Sequence, residues 1–243
     1  MSRIYLPGRS DRMTQLLYRY PLGLNTVLLI HSDDTEGSQT FVDSINAREI
    51  TAVGDVKHTH LKQKFGASSI YFDGNDSLTL ADNADWDCGV GDFSIDFWIN
   101  FDDVSNPHGI CGHYKADNFY WGLYWTTATG GGFRFRNMNG TIDDEVIFPF
   151  SAVVNTWYHV AIVRGWDGDG ILWNCTKNGT KIGMGALKAS VNMAPTNDGL
   201  FRIGQYLASS GTCNLRGYID EFRMKKGSAA WTDNFTVPKG MYI

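Results

Sequence analysis

The sequence has few of the residues and spacings that define several large classes of protein. Among its 243 residues are only 6 prolines and 4 cysteines, and no two cysteines form a C-x-x-C pair. Zinc ribbons and thioredoxin-like redox sites are therefore unsupported, because both depend on that spacing. Basic residues number 21 against 26 acidic ones and form no cluster, which excludes the basic surface that nucleic acids require.

Long hydrophobic runs are also missing. The apolar stretch 26–30 is far shorter than the roughly 20 residues that a membrane-spanning helix needs. The first 20 residues carry four arginines and lack the uninterrupted apolar region of a secretory signal peptide. We therefore expect neither membrane insertion nor export through a cleaved signal peptide.

The cysteines are scattered along the chain. In a sequence rich in strands we interpret such isolated cysteines as small buried hydrophobic residues. Spacing alone leaves open a disulfide between two of them. The residues concerned are Cys88, Cys111, Cys175 and Cys213.

The residues that are abundant favour a β-protein. Aromatic residues make up 14% of the chain, and 27 glycines suit tight turns. Short β-like runs alternate with turns, no window shows the apolar stripe of an amphipathic helix, and the length suits one large β-domain. The clearest predicted strands lie at 26–32, 68–74, 78–81, 92–101, 119–125, 132–137, 145–150, 157–164, 170–179, 200–206 and 215–224.

Alternation within the run 92–101 predicts which side chains are buried, because successive side chains of a strand point to opposite faces. One face is entirely apolar and is predicted to face the core, while the other is predicted to be exposed to solvent. The predicted core face consists of Phe93, Ile95, Phe97, Ile99 and Phe101. The predicted solvent face consists of Ser94, Asp96, Trp98 and Asn100.

Many half-buried strands with short turns predict two packed sheets, because a single sheet would leave one apolar face in water. The pair Asn178–Gly179 predicts a tight hairpin, since both central residues of a type I′ turn need positive φ. Residues 1–24 differ in character, being basic and aromatic with Pro7 and Pro21 as breakers. We predict an N-terminal arm at 1–24, either an anchoring segment or a poorly ordered terminus, and one domain at 25–243.

A family resemblance rests on seven runs taken in order, which are 28–44, 64–80, 86–101, 157–164, 178–183, 217–224 and 231–238. Together they resemble the laminin-G-like domains of the concanavalin-A-like lectin/glucanase superfamily, of the type found in bacteriophage structural and bacterial extracellular proteins. The resemblance implies an all-β fold, a two-sheet antiparallel jelly-roll sandwich, here with an N-terminal extension. It also implies binding of carbohydrate or protein, often with a calcium ion.

Aromatic side chains beside polar ones are the candidates for ligand contact. Flat rings cover sugar faces, while Asn and Asp supply directional hydrogen bonds. Trp98 is the sharpest candidate because it stands between two polar residues on the predicted solvent face; packing is the alternative role for any aromatic on a strand. The predicted ligand-binding residues are Asp96, Trp98, Asn100, Trp121, Tyr124, Trp125 and Trp166.

Asp33 and Asp220 are the predicted calcium ligands. Calcium prefers oxygen ligands, and Asp33 follows the first strand at a position where the family pattern has an Asp. Asp220 is in the last strand, which in this fold can lie close to the first. The alternatives are that Asp33 caps a turn, that Asp220 binds an arginine or a backbone amide, and that Asp34 or Asp73 is a ligand instead.

A catalytic role is not predicted. Glycoside hydrolysis needs two facing carboxylates about 5–10 Å apart, and hydrolases of the superfamily place theirs on one strand in an E-x-D-x-x-E pattern. This chain lacks that pattern, and alternation is expected to send the adjacent Asp220 and Glu221 to opposite faces. A G-x-S-x-G nucleophile motif is also absent. An enzyme built from residues remote in sequence is the alternative.

These inferences predict a non-catalytic, virion-associated structural, decoration or fibre protein whose domain binds glycan or a host-surface or partner protein. Its partners would be a glycan or host-surface polymer and, through residues 1–24, other virion or assembly proteins. It would act as a homo-oligomer or within a larger assembly, formed in the host cytoplasm. The alternatives are a carbohydrate-binding module of the bacterial surface or extracellular space, and a glycan-cleaving enzyme.

Overall fold

A computed structural model describes residues 23–128, 131–168, 172–186, 198–208 and 211–243. The arm predicted at 1–24 lies outside the described residues except for its last two, Gly23 and Leu24. In the described part of the chain, no helix has the length and apolar character needed to cross a membrane.

The described residues form 18 strands, with short 3-10 turns at Ala84–Trp86 and Trp166–Gly168. The strands are β1 (Thr26–Ile30), β2 (Phe41–Val42), β3 (Glu49–Val53), β4 (Lys57–Thr59), β5 (Ser69–Asp73), β6 (Ser77–Leu80), β7 (Phe93–Phe101), β8 (His108–Ala116), β9 (Phe119–Thr126), β10 (Gly132–Asn139), β11 (Ile142–Pro149), β12 (Trp157–Arg164), β13 (Leu172–Lys177), β14 (Thr180–Ala186), β15 (Leu200–Ile203), β16 (Gln205–Ala208), β17 (Gly211–Asn214) and β18 (Arg216–Lys226).

The strands pair into two antiparallel sheets that enclose one core. In the first sheet the order is β14-β13-β12-β7-β18-β5-β4, and β1 pairs with β18. In the second sheet the order is β11-β10-β9-β8-β15-β6-β3-β2, while β16 and β17 form a separate ribbon. This architecture confirms the prediction of an all-β, two-sheet antiparallel jelly-roll sandwich.

The core between the sheets is built as the alternation predicted. The five apolar residues of β7 belong to one buried cluster. On β10, Phe133 and Phe135 enter the same cluster, whereas Arg134 and Arg136 on the alternate positions point outward. Full burial of such aliphatic and aromatic side chains contributes about 1.5–3 kcal/mol each, so this cluster holds the two sheets together.

The hairpin predicted at Asn178–Gly179 is present between β13 and β14. The φ angles are 52° at Asn178 and 80° at Gly179, as a type I′ turn requires. The Asn178 side chain adds a further connection, since its Oδ1 accepts a hydrogen bond from the His159 backbone N–H at 2.9 Å.

The cysteines are free thiols, so none of them forms a disulfide in this structure. Three are buried and Cys213 is partly exposed. Burial raises the pKa of Cys88 to about 12, which keeps this thiol protonated. The interpretation of cysteines as buried hydrophobic residues is confirmed for Cys88, Cys111 and Cys175.

The face of β7 that was predicted to be exposed to solvent is buried instead, as is every residue of this strand. Two stretches cover this outer face of the first sheet: residues 60–67 and the C-terminal segment, residues 227–243. In the C-terminal segment, Trp231 and Phe235 pack with Trp166 in a second apolar cluster. The solvent-face prediction is wrong because strand alternation distinguishes two faces but does not reveal a covering layer.

A β-bulge in β18 redirects two acidic side chains. The register against β7 shifts between Asp220 and Arg223, and Glu221 adopts a φ of 52°. Ile219 and Phe222 both enter the core, so the two residues between them, Asp220 and Glu221, both project to the outer face. The expectation that these acids point to opposite faces is therefore wrong.

The ribbon of β16 and β17 lies on the outer face of the second sheet, over β8 and β9. Two glycines permit this close approach. A Cβ atom at Gly109 would lie 2.1 Å from the Tyr206 backbone nitrogen, and one at Gly122 would lie 2.4 Å from the Tyr206 ring. Tyr206 is thereby held flat against the sheet beside Tyr124.

Candidate functional site

Three of the tryptophans predicted to contact a ligand are packing residues. Trp121 and Trp125 point into the core from β9, and their indole N–H groups donate to Trp86 O at 2.9 Å and Phe150 O at 3.1 Å. Trp166 lies in the second apolar cluster and is 1% exposed. The structure does not support these three residues as ligand contacts, because each is at most 2% exposed.

Trp98, the sharpest candidate, is only 4% exposed. The Phe65 ring meets it edge-on with 5.7 Å between centroids, and Lys64 Nζ lies 4.0 Å from its centroid. His159 occupies another side, with 5.2 Å between ring centroids. Trp98 is therefore part of the layer that residues 60–67 cover, not of a ligand surface.

Asp96 and Asn100 flank Trp98 and are buried as well. Asp96 Oδ1 accepts a hydrogen bond from Arg223 Nε at 2.9 Å, and the Tyr242 hydroxyl donates to Asp96 Oδ2. Burial by itself would raise the pKa of Asp96, but the charge of Arg223 and the other partners outweigh it and hold this pKa below its usual value. Asp96 thus anchors the C-terminal segment.

Tyr124 is the predicted ligand residue that lies at an accessible surface. It projects half-buried from β9 onto the outer face of the second sheet, where its ring stacks on Tyr206 with 4.5 Å between centroids. Its hydroxyl donates to Glu145, which fixes the ring. Burial and this hydrogen bond raise the pKa of Tyr124, so the hydroxyl stays protonated.

Two cavities meet beside this tyrosine pair and together form a depression that we call the rim groove. The larger has a volume of about 540 Å³ and the smaller one of about 220 Å³, and Pro107, Thr212 and Cys213 line both. Tyr124 and Tyr206 line the smaller cavity. The larger cavity is also lined by Asp73, Gly74, Asn75, Asp103, Asn106, His108, Asn214 and Arg216.

The turn between β5 and β6 forms one wall of the rim groove. Gly74 has a φ of +109°, a conformation that favours glycine. Asp73 Oδ1 accepts from Asn75 N at 3.0 Å, which closes the turn. Behind it the buried Asp76 carboxylate accepts from Asp73 N and Asp55 N, both at 2.9 Å. These bonds hold Asp73 and Asn75 at the surface of the cavity.

The loop after β7 forms the facing wall. The Asp103 carboxylate accepts from Ser105 N at 2.8 Å and Asn106 Nδ2 at 2.7 Å, and hydrogen bonds from these residues hold the pKa of Asp103 far below its usual value. His108 Nε2–H donates to Asp103 O at 2.7 Å, while Nδ1 accepts from Arg216 N at 3.2 Å. Burial lowers the pKa of His108, which suits the neutral ring that this pattern requires.

The rim groove combines aromatic rings with directional polar groups. The amides of Asn75 and Asn106, the carboxylate of Asp73 and the guanidinium of Arg216 offer both donors and acceptors around one cavity. A polyhydroxylated ligand would use such groups, and the tyrosine pair adds a flat apolar surface at one end.

Sequence reasoning missed most of these residues for two reasons. Asn, Asp, Ser, Gly and Pro are typical of turns, so the turn 73–76 and the loop 102–107 look purely structural. Their meeting with β17 and the start of β18 depends on strand order, which local patterns do not contain. The aromatic Tyr206 was visible, but nothing in the sequence marks it as the partner of Tyr124.

The predicted metal ligands Asp33 and Asp220 lie close enough to interact electrostatically, because β1 pairs with β18. Asp220 Oδ2 accepts from Lys64 N at 2.8 Å, while its Oδ1 is buried without a hydrogen-bond partner among the described residues. Asp33 Oδ1 accepts from Ala67 N at 2.7 Å. Burial raises the pKa of Asp220 well above its usual range.

A second acidic cluster borders the rim groove. One carboxylate oxygen each from Asp55, Asp73 and Asp76 lies within 4.8 Å of the others. Among the described residues, these three side chains form the cluster whose geometry could accommodate a metal ion. Burial raises the pKa of Asp76 above its usual value. Asp73 connects this cluster to the cavity.

The two acids of the β18 bulge are not arranged around an open cleft. Glu221 Oε1 lies 2.8 Å from His31 Nδ1, and Glu221 Oε2 accepts from Tyr242 N at 2.8 Å. Asp220 is bound by the backbone of residues 60–67. Both carboxylates are therefore used to join covering segments to the sheet.

The fold and the rim groove define a β-sandwich with a polar and aromatic depression at one edge. A family model for the concanavalin A-like lectin/glucanases superfamily, of laminin-G type, matches residues 72–230. The chain belongs to this superfamily, as the sequence runs indicated. No curated protein matches it.

Solved structures share the fold at low sequence identity. Domain 4 of the extracellular arabinanase AbnA from Geobacillus stearothermophilus, in complex with arabinotriose, superposes with a TM-score of 0.65 at 15% identity, over 85% of this chain and 94% of that one. The binding domain of Paraclostridial Mosquitocidal Protein 1 gives 0.64 at 16%, over 86% and 50%. The binding domain of Botulinum Neurotoxin DC in complex with SialylT gives 0.60 at 15%, over 84% and 49%. This chain thus spans about half of each toxin domain.

Proposed function

We propose that this chain is a glycan-binding domain and that the rim groove is its binding site. The observation that carries the proposal is the stacked pair Tyr124–Tyr206 beside a cavity lined by amide, carboxylate and guanidinium groups. The arabinanase domain that shares the fold was solved with arabinotriose, which supports a carbohydrate as ligand.

Replacing Tyr124 tests the proposal. We expect Tyr124→Ala to weaken glycan binding at least about tenfold, because it removes a ring that would contact the ligand. The matched control is Tyr114→Ala, since Tyr114 is also half-buried on the second sheet and also donates its hydroxyl to a carboxylate, that of Asp117 at 2.6 Å. Tyr114 lies opposite Tyr120 and lines neither cavity of the rim groove, so its loss should leave binding unchanged.

Binding can be measured on a glycan array and then by calorimetry with the strongest ligand. Equal losses in the two variants, or no loss in Tyr124→Ala, would contradict the rim groove as the site. Far-UV circular dichroism of both variants establishes that each retains the β-sandwich.

Catalysis is not part of the proposal. A glycosidase needs one carboxyl group with a raised pKa as its proton donor, whereas hydrogen bonds lower the pKa of Asp103 in the groove. Burial raises the pKa of Asp76, but this residue is 1% exposed behind Asp73 and does not line the cavity. The acid pair of β18 is covered by other segments. New reducing ends during incubation with bound glycans would overturn this part of the proposal.

A role in a virion or similar assembly is a separate part of the proposed function. It rests on the family resemblance and on the basic, aromatic character of residues 1–24. Deleting residues 1–24 should abolish incorporation into the particle and spare glycan binding. Incorporation of the truncated chain would remove the anchoring role.

We also propose that Asp33 and Asp220 contribute to a calcium site. The unpaired, buried Asp220 Oδ1 supports this, because such an acceptor suits a cation. A chelator should then lower the melting temperature of the wild type and not that of Asp220→Asn, since an ion bound only by the folded state stabilises it. If Asp76→Asn abolishes the chelator effect instead, the ion is held by the acidic cluster at the rim groove.

A further inference from the structure

The charges around the rim groove are mostly negative. Asp73 and Asp103 line the larger cavity, and Asp55 and Asp76 stand behind Asp73 in the acidic cluster. Arg216 is the one lysine or arginine among the residues described as lining either cavity. The formal balance at the cavity surface is therefore negative, with further acids beneath it.

Neighbouring basic groups do not reverse this balance. Lys62 binds Asp102 Oδ1 at 2.6 Å and Asn155 Oδ1 at 2.7 Å, so its charge is held outside the groove by another acid. Arg134, next to Tyr124, is paired with Glu145 at 3.0 Å. In both cases the cation near the groove has an acidic partner of its own.

Resting on the proposed function, we infer that the rim groove selects uncharged glycans and excludes those that carry a carboxylate. Placing a sialic or uronic acid beside Asp73 and Asp103 would set like charges together, which costs binding free energy. The hydroxyls of a neutral sugar instead match the acceptors of Asp73 and Asn75 and the donors of Asn106 and Arg216.

Matched glycan pairs test the inference. The probes are neutral oligosaccharides and the same chains extended by one sialic or glucuronic acid, measured by calorimetry at low ionic strength. We expect the acidic member of each pair to bind at least about tenfold more weakly than the neutral one. A higher salt concentration should reduce this difference in affinity, because ions screen the repulsion.

A charge variant identifies the source of the selectivity. Asp73→Asn should reduce the difference in affinity between neutral and acidic glycans several-fold. The control is Asp117→Asn, in the turn that follows β8. Asp117 lies at the end of β8 farther from the rim groove, so this change should leave the difference in affinity unchanged. An unchanged difference in affinity in Asp73→Asn would overturn the inference.

The outcomes also separate the inference from the function on which it rests. Equal or tighter binding of acidic glycans through the rim groove overturns the selectivity and leaves glycan binding intact. Binding of no glycan of either class overturns both.

Discussion

At the scale of single residues, the buried carboxylate of Asp96 is the most consequential group outside the rim groove. It is fully buried and is bound by Arg223 and by the Tyr242 hydroxyl, and His159 Nε2 lies 3.6 Å from its Oδ2. The Arg223 guanidinium also lies 3.9 Å from the Tyr242 ring centroid. One ion pair therefore fixes both the sheet and the segment that covers it.

Removing the cation should be costly. We expect Arg223→Met to lower the free energy of unfolding by about 3–5 kcal/mol, because it leaves a buried charge without its partner. The control is Arg136→Met, which breaks the partly exposed pair with Asp143 at 2.6 Å and should cost less than about 1 kcal/mol. Urea titrations measure both. Similar losses in the two variants would contradict the role assigned to burial.

The burial of individual residues was predicted correctly where it depends only on the packing of the two sheets against each other. Alternation along β7 identified the core face, since Phe97 and its apolar neighbours lie between the sheets. It failed for Trp98 and Asp96, because a remote segment can cover the face of a strand that lies opposite the core. The aromatic residues Trp231 and Phe235 in the segment 227–243 were the one sign in the sequence that this segment could pack over the sheet.

At the scale of elements, turns are positioned by contacts as well as by backbone conformation. Gly179 at the β13–β14 hairpin has a φ of +80°, and a Cβ there would lie 2.0 Å from Phe235 O in the C-terminal segment. The Phe235 N–H donates to Gly179 O at 3.0 Å. The hairpin is thus also a docking point for the covering segment.

Two glycine substitutions separate these effects. Gly168 has a similar φ of +74°, but a Cβ at this position would have no neighbouring atom within 4 Å, so Gly168→Ala should cost only about 1–2 kcal/mol of backbone strain. Gly179→Ala should cost clearly more, because Phe235 must also move away. Thermal and urea unfolding of both variants measure the difference, and equal costs would show that the contact contributes nothing.

Strands and tight turns could be predicted from local sequence patterns, whereas a β-bulge within a strand could not. The Asn178–Gly179 turn followed from two residues with a known φ requirement. The bulge at Asp220–Glu221 did not, since its sequence reads as an ordinary strand, and it alone reverses the expected direction of Glu221. The walls of the rim groove likewise have sequences typical of turns, and their role depends on the strands that they meet.

At the scale of the whole molecule, distant parts of the described chain converge on one carboxylate. Glu221 contacts His31, 190 residues earlier, and accepts a hydrogen bond from Tyr242 near the C-terminus. The pairing of β1 with β18 brings these residues together. The family resemblance implied that the first and last strands can be neighbours, and the structure adds the polar connection that joins them.

This connection should make stability depend on pH. Burial lowers the pKa of His31, but the hydrogen bond and charge of Glu221 outweigh it, so the pKa is raised above 6.5. A histidine with a raised pKa stabilises the folded state fully below its unfolded pKa, and this contribution is lost as the pH rises through the folded-state pKa. The wild type should therefore exceed His31→Gln in stability at pH 6, and by less at pH 8.5.

Urea unfolding of the wild type and of His31→Gln at both pH values gives four free energies of unfolding. The same comparison in the Glu221→Gln background is the control. In that background burial acts on the pKa of His31 against the charge of Asp33 alone, so the loss of stability caused by His31→Gln should no longer shrink from pH 6 to pH 8.5. A stability difference that is constant with pH, or that grows towards pH 8.5, would mean that Asp33 and Glu221 do not hold a proton on His31. The joining of the strand β1 to the C-terminal segment would then depend on packing and backbone pairing alone.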